Sequence, residues 1–527
     1  TAQKMEGVVR NAGTHAAGVI ISDRPVIEYV PLHRPTGGST EESPVRIVTQ
    51  FEMSVLESLG LLKIDFLGLA TLTIMARACD LIYQRHGIRL NLDNIPTDDP
   101  ATFELLGRGE TAGVFQVEGA GMRRYLMEMK PKELANVIAM VALFRPGPMV
   151  HIPEYIRRMH GEEEIAYLHP ALEPIFKETY GRPVYQEQLI RAVMELAGYT
   201  ASEADDLRKA ISKKQKDKLL RQRRKFIAGA VKRNIPEETA GKIFDEWEEF
   251  ARYGFNKAHA AEYGVVSVQT AYLKTHYPVE YMTALLSVSQ NDTKKVAFYV
   301  ADCRRMGIDV KPPDINISGW DFTIEDRGEA DTTSGKFSTI RFGLGAVKNV
   351  GYGPVEAILR GRGERPFIDL NDFAQRVDLR QVGKRALESL IKVGALDRFG
   401  PRYALLEAVD KIISVSATHF RARETGQLTL FGEHSGVSET IDLVELEVSI
   451  SKREMLNWER ELIGLYVSDH PLNPVMQEIN EIVTHYSGQL AEANPEEHVR
   501  VAGIITRIRT HQSKAGKAMA FVTIEDI

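Results

Sequence analysis

The apolar residues of this chain change their spacing several times along its length, and that change constrains the architecture more than any single motif. Over residues 15–65 short apolar strands alternate with turn signals. Gly18-Val-Ile-Ile21 reads as a short buried strand, Val45–Phe51 as another and Leu61–Phe66 as a third. From Thr71 to about Tyr83 the period lengthens towards 3.6, and most of the chain to residue 305 keeps it. Breakers interrupt this run at Asn94-Ile-Pro96, Arg145-Pro-Gly-Pro148, His169-Pro170, Pro183 and Pro278. Residues 321–342 return to alternation, 343–412 are helical with glycine-rich joints, and 499–526 open a further β segment. Lys311-Pro-Pro-Asp314 reads as a linker, and the acid-rich stretch from Glu433 to Glu447 as a loop. A chain that switches period in this way closes neither a single sheet nor a single bundle. The expected fold class is multidomain α+β, mostly helical.

The length agrees, since 527 residues at roughly 100–200 per domain make about three to five domains. A content of 43% hydrophobic and 26% charged residues suits several packed cores. No apolar run approaches the ~18–20 residues that cross a bilayer, which excludes a membrane-spanning helix. Cys79 and Cys303 make neither a disulfide framework nor a cysteine-based zinc site by themselves, so a cytoplasmic location is expected. The 14 histidines form no H-E-x-x-H-type pair, so no zinc site is expected. The net charge is -6, and any nucleic acid must therefore be met by local patches. The opening at Thr1 and the stop at Ile527, inside the alternating run Ala520–Ile524, read as an internal fragment of a longer protein.

Four features carry chemistry. Between 208 and 233 stand Arg208, Lys209, Lys213, Lys214, Lys216, Lys218, Arg221, Arg223, Arg224, Lys225, Lys232 and Arg233, against the single acid Asp217. Such a stripe on a helix favours phosphate contact; the plainer alternative is a solvated face neutralised by the acids at 245–249. Gly343-Leu-Gly345-Ala-Val-Lys348-Asn-Val-Gly351-Tyr-Gly353 precedes an apolar helix. Glycines there would let backbone amides approach a phosphate, with Lys348 adding charge, and the pattern looks like a helix-hairpin-helix that grips a DNA backbone. A second glycine-hinged pair lies around Gly394 and Gly400. Lys63-Ile-Asp65-Phe places Lys63 and Asp65 on one strand face, opposite Ile64. A lone strand carboxylate is commonly structural, and metal-dependent phosphoryl transfer needs several. Finally, Gln427-Leu-Thr-Leu-Phe431 presents a Leu and a Phe in a polar setting, either as a peptide ligand for a hydrophobic pocket or as a loose core anchor.

These features coincide in one family. The chain resembles the bacterial replicative DNA polymerase III alpha subunits over essentially its whole length. The resemblance is carried by Arg10-Asn-Ala-Gly13, His15-Ala-Ala-Gly-Val-Ile-Ile21, Lys63–Leu69, Gly113-Val-Phe-Gln-Val-Glu-Gly119 and Gly121-Met-Arg123. It continues through Ala142–Pro148, Tyr185-Gln-Glu-Gln188, Tyr253-Gly-Phe-Asn-Lys-Ala-His259 and Pro312-Pro-Asp-Ile-Asn316. It implies the end of a thumb at 1–20, the C-terminal half of a nucleotidyltransferase-type palm at 21–70 and helical fingers at 71–310. A helix-hairpin-helix and clamp-binding region at 311–485 and a truncated OB-fold at 498–527 would follow.

The reaction implied is template-directed attack of a primer 3′-hydroxyl on a deoxynucleoside triphosphate, with two Mg²⁺ ions as cofactors. Asp65 matches a palm carboxylate that binds metal, with Lys63 beside it as a further catalytic candidate. Arg145, Arg208, Lys209, Lys257 and His259 match motifs that hold the triphosphate. Lys213, Lys214, Gly343, Gly345, Lys348 and Gly351 are the DNA-binding candidates. Gln427, Leu428, Leu430 and Phe431 match a peptide that binds the beta sliding clamp. Primer-template DNA, deoxynucleoside triphosphates, the clamp and other polymerase III holoenzyme subunits are the implied partners. The family's paired-Asp motif should lie upstream of Thr1, so the chain alone is expected to bind without extending primers. Two alternatives stay open: a non-catalytic DNA- and clamp-binding module, and the related error-prone polymerase of the same family.

Overall fold

The computed structural model describes residues 13–15, 17–34, 47–212, 216–250, 254–325, 339–425, 440–443, 450–490, 496–512 and 518–526. The chain divides into two compact units, Thr1–Leu72 and Thr73–Ile527.

The first unit holds β1 (Gly18–Ile21), β2 (Leu32–His33), β3 (Val48–Thr49) and β4 (Leu62–Asp65), paired antiparallel as β1 with β4 and β2 with β3. In the first pair Gly18 faces Asp65, Val19 faces Ile64, Ile20 faces Lys63 and Ile21 faces Leu62; Val19 and Ile21 are exposed, which corrects the expectation of a buried strand there. The strand expected at Val45–Phe51 is ladder-paired only at Val48 and Thr49. Val30, Leu56 and Leu61 form a small core, with Ile20, Val26 and Leu32 packed against it.

The second unit is mostly helical and has three cores among the described residues. One gathers the helices Pro100–Gly107, Ala120–Met129, Leu134–Leu143 and Ile152–Met159 around Lys257–His276. That last helix buries Ala260, Val268 and Ala271, and at Gly264 a Cβ would stand 2.7 Å from Ile138. Only glycine permits the close crossing with Leu134–Leu143. Deep in this unit Lys274 Nζ meets Asp302 at 2.7 Å and donates to the carbonyls of Glu110 and Ala112. A second core joins Gln186–Ala197, Ala201–Ser212, Lys216–Val231 and Glu237–Phe250 through Leu196, Leu207, Phe226, Phe244 and Trp247.

The third core runs from Ile74 to Val467 and encloses a small sheet of order β5 (Val310–Lys311), β7 (Thr339–Arg341), β6 (Thr323–Glu325). β5 is parallel to β7, and β6 is antiparallel to it. The expectation of a linker at Lys311–Asp314 is corrected here. Lys311 lies in β5, and Ile315 is fully buried with its N–H bonded to the carbonyl of Ala395. Within the acid-rich stretch, Ile441 is buried and donates to Asn371 Oδ1; most of the remainder lies outside the described residues. The last β segment is an antiparallel hairpin of β8 (Ile504–Gln512) and β9 (Ala518–Glu525) with a register shift between Ile505 and Arg507. Among the described residues no helix is long and apolar enough to cross a membrane.

Candidate nucleotide and nucleic-acid interface

On β4, side-chain alternation sets Lys63 and Asp65 on one face, as the sequence predicts. The contact between them is direct. Lys63 Nζ lies 2.9 Å from Asp65 Oδ1 and 3.0 Å from Oδ2, and His15 Nδ1 is 3.9 Å from the same carboxylate. The hydrogen bond from Lys63, with its charge and that of His15, holds the Asp65 carboxyl below the usual carboxylate range. The Asp65 side chain is 49% exposed and that of Lys63 15%. Lys63 is therefore spent on its neighbour, and no phosphate contact need be invoked for its place.

The two Mg²⁺ ions implied by the resemblance need several hard oxygen ligands. Among the described residues no group of three His, Cys, Asp or Glu side chains could hold a metal, and Asp65 is already bonded to an ammonium. Among the described residues Asp65 alone falls short of a two-metal centre, which would need further carboxylates.

The helical unit brings the residues predicted to hold the triphosphate together. A parallel bridge pairs Tyr185 with Phe255: Phe255 N–H donates to Val184 O, and Gln186 N–H to Phe255 O. Around it, the Arg145 guanidinium sits 4.3 Å over the Phe255 ring, with its Nε 2.8 Å from Ala142 O. Burial lowers the Arg145 pKa, though a guanidinium remains cationic at neutral pH. Lys257 Nζ lies 2.7 Å from Glu178 and 5.4 Å over the Tyr185 ring, while its N–H donates to Glu187. Arg208 bonds Asp205 at 2.8 Å and reaches Gln186 Oε1 at 3.3 Å. Lys209 meets the other oxygen of Asp205 at 2.7 Å. Asn256 caps the helix Lys257–His276 by accepting from His259 N–H, and His259 stands exposed on its first turn. Each cation is held by a carboxylate or carbonyl on a partly open surface, an arrangement that can exchange those partners for phosphate oxygens.

The basic stripe divides. Arg223 makes a two-point contact with Asp245 at 2.8 and 3.0 Å, and Lys225 bonds Glu203 at 2.5 Å. The neutralising acids of the plainer alternative thus take part of the stripe. Lys218, Arg221 and Arg224 are exposed and carry no ion pair among the described residues. Lys213 and Lys214 lie outside the described residues, as does the peptide Gln427, Leu428, Leu430, Phe431.

The glycine-rich hairpin also divides. A Cβ on Gly343 would meet Asp321 C at 2.6 Å, and one on Gly345 the Trp320 ring at 2.7 Å; Gly345 N–H already donates to Trp320 O. These two glycines serve packing on Trp320, a steric reason for them apart from any phosphate contact. Gly351 and Gly353 face open space at the start of the helix Tyr352–Arg362, and Tyr352 between them is 63% exposed. Lys348 is exposed on the same hairpin, its N–H donating to Leu462 O. At the second pair, a Cβ on Gly394 would stand 2.7 Å from Asp397, a steric reason for that glycine.

Sequence reasoning singled out Tyr185–Gln188 and Tyr253–His259 as strings without seeing that Tyr185 and Phe255 join them. No local signal marks that bridge, because its partners are far apart in the chain.

Three family models match segments of this architecture. A family model described as bacterial DNA polymerase III alpha subunit finger domain matches residues 71–234, and one described as a helix-hairpin-helix motif matches 307–405. A third, described as bacterial DNA polymerase III alpha NTPase domain, matches 1–68. The class is thus a polymerase-type finger segment followed by a helix-hairpin-helix segment. DNA polymerase III subunit alpha of Thermus aquaticus is 44% identical, over 100% of this chain and 42% of its own length. The subunits so named of Pseudomonas aeruginosa and Escherichia coli K12 are each 39% identical over 100% of the chain and 46% and 45% of their lengths. The chain belongs to the bacterial DNA polymerase III alpha subunit family, and it spans less than half the length of these relatives.

Proposed function

We propose that this chain is part of a DNA-directed DNA polymerase, a nucleotidyltransferase that adds deoxynucleotides to a primer 3′-hydroxyl under the direction of a template. The observation that carries the reading is the cluster of Arg145, Arg208, Lys209 and Lys257 around the Tyr185–Phe255 bridge. A triphosphate concentrates more negative charge than Glu178 or Asp205 and would draw these cations away from them. Held there, it would offer its α-phosphorus for in-line attack while the cations offset charge on the departing pyrophosphate. His259, exposed beside them, would contact the nucleotide. Asp65 would serve as a metal ligand near the primer terminus; Mg²⁺ binding would need carboxylates beyond those described here.

The remaining assignments belong to the same proposal. The β1–β4 sheet would be the second half of a palm at 21–70, following the end of a thumb at 1–20. Helical fingers would span 71–310, and a region with hairpins and clamp ligand 311–485. The β8–β9 hairpin would begin an OB-fold at 498–527. Lys348 and Gly351 would meet the DNA backbone, together with Lys213, Lys214 and the exposed cations of the basic helix. Gln427, Leu428, Leu430 and Phe431 would bind the beta sliding clamp, raising effective concentration at the primer terminus. Other holoenzyme subunits would be partners, in the cytoplasm.

Equilibrium binding of labelled dATP to the purified chain tests the core of this reading. Arg145→Ala and Lys257→Ala are each expected to weaken binding about tenfold, as lost charge-assisted contacts do; undiminished binding in both would overturn it. A second reading is favoured by the Lys63–Asp65 contact: the chain alone binds DNA and nucleotide without extending primers. Primer extension by the isolated chain that is abolished by Asp65→Ala would refute that.

A further inference from the structure

We propose that Tyr263, backed by Phe115, is a positioning residue that fixes the His259 imidazole at the edge of the nucleotide cluster; the inference rests on the nucleotide reading above for its functional consequence. An exposed histidine on the first turn of a helix ordinarily samples several rotamers, and ordering it costs entropy that some contact must offset. Here the ring is flanked on both sides. Its centroid is 5.5 Å from that of Phe255 at 56°, and 4.4 Å from that of Tyr263 at 46°. Residues 255, 259 and 263 recur at four-residue intervals, so the rings line one side of the helix start.

Both flanks are anchored from elsewhere in the fold. Phe255 is pinned by the bridge to Tyr185 and by the Arg145 guanidinium over its ring. Tyr263 packs on Phe115, with ring centroids 5.2 Å apart at 48°. Phe115 arrives from the turn between the helices Pro100–Gly107 and Ala120–Met129. That turn is tied to the helix it serves: Phe115 N–H donates to Thr270 Oγ1 at 3.1 Å. Within it, Gly113 N–H and Tyr299 OH both donate to Glu118 Oε2, at 3.1 and 3.2 Å. The next residue, Gln116, has φ 65, a left-handed conformation that a non-glycine side chain adopts only where surrounding contacts impose it. The sequence motif Gly113–Gly119 thereby acquires a physical role. It is the arm that brings Phe115 against Tyr263 and completes a series Arg145, Phe255, His259, Tyr263, Phe115.

The Tyr263 hydroxyl makes no hydrogen bond among the described residues, so the ring itself carries the effect. Tyr263→Phe is therefore expected to be silent, whereas Tyr263→Leu removes the flat partner.

The test has two arms. In the 527-residue chain with labelled histidine, NMR should show the ring-current-shifted His259 imidazole protons moving toward free-imidazole positions in Tyr263→Leu and staying in place in Tyr263→Phe. Phe115→Leu, which removes the ring behind Tyr263, should move them in the same direction. Unmoved signals in both Leu variants overturn the inference. In the second arm, labelled dATP should bind about tenfold more weakly to Tyr263→Leu and to His259→Ala. The double variant should be no weaker than His259→Ala alone, as coupling through one ring requires. Additive losses would overturn the inference by showing that Tyr263 acts on the nucleotide directly. If His259→Ala binds dATP as the parent does, the nucleotide reading of His259 fails, while the NMR arm still decides whether Tyr263 holds the ring.

Discussion

Lys63 and Asp65 stand two residues apart on β4, with the ammonium 2.9 Å from the carboxylate and both on the strand face opposite Ile64. The lowered Asp65 pKa has a defined pH consequence. A carboxyl depressed in the folded state contributes stability above its unfolded pKa of about 3.9, lost as pH falls through the folded value. An NMR titration of the Asp65 carboxyl should give a midpoint below that of an unfolded chain, and Lys63→Met should raise it. A midpoint unchanged by Lys63→Met would mean that the contact does not persist in solution.

Lys274 supplies a prediction about the core. Its ammonium is fully buried against Asp302 and also serves the carbonyls of Glu110 and Ala112. Lys274→Met leaves Asp302 to Arg305 alone and strands the two carbonyls, and should destabilise this region by about 1–3 kcal/mol. Hydrogen exchange along Lys257–His276 would register the loss. Replacing Asp302 as well, by Leu, should recover part of it.

The hairpin glycines should separate stability from binding. Gly345→Ala puts a methyl group into the Trp320 ring and should cost about 1–3 kcal/mol by overpacking. Gly353→Ala meets nothing and should leave the melting temperature near that of the parent. If the Gly351–Gly353 tip meets a DNA backbone, Gly353→Ala should instead weaken DNA binding, measured by fluorescence anisotropy. The reverse pattern would move the contact surface to the Trp320 side.

Ion pairing sorts the basic helix in the same way. Neutralising Lys218, Arg221 and Arg224 together should flatten the log–log salt dependence of DNA binding by about 0.9 for each side chain that meets a phosphate on duplex. Arg223→Gln should change it little, because Arg223 is already matched to Asp245. Equal effects from both sets would mean that the Arg223–Asp245 contact opens on binding.

What could be read without coordinates follows from the range of the forces involved. Gly18–Ile21 is a strand as its short apolar run predicts, Leu62–Asp65 one as its alternation predicts, and the long helices follow their 3.6 period, since these patterns are set by neighbours along the chain. The shared face of Lys63 and Asp65 follows from the same two-residue repeat. Lys311-Pro-Pro-Asp314 misled because prolines announce a stiff local path but say nothing of where it lies. The Ile315 N–H finds its partner at Ala395, beyond the reach of any local pattern.

The candidate site divides along that line. Its residue types and motif strings were determined by sequence alone, and so was the family resemblance. Only the tertiary structure decided that Arg223 is neutralised by Asp245, that Gly343 and Gly345 are filled by Trp320, and that Tyr185 and Phe255 join two distant motifs. Side-chain identity and periodicity are properties of adjacent residues, whereas pairing, packing and burial depend on which distant segments the folded cores bring into contact.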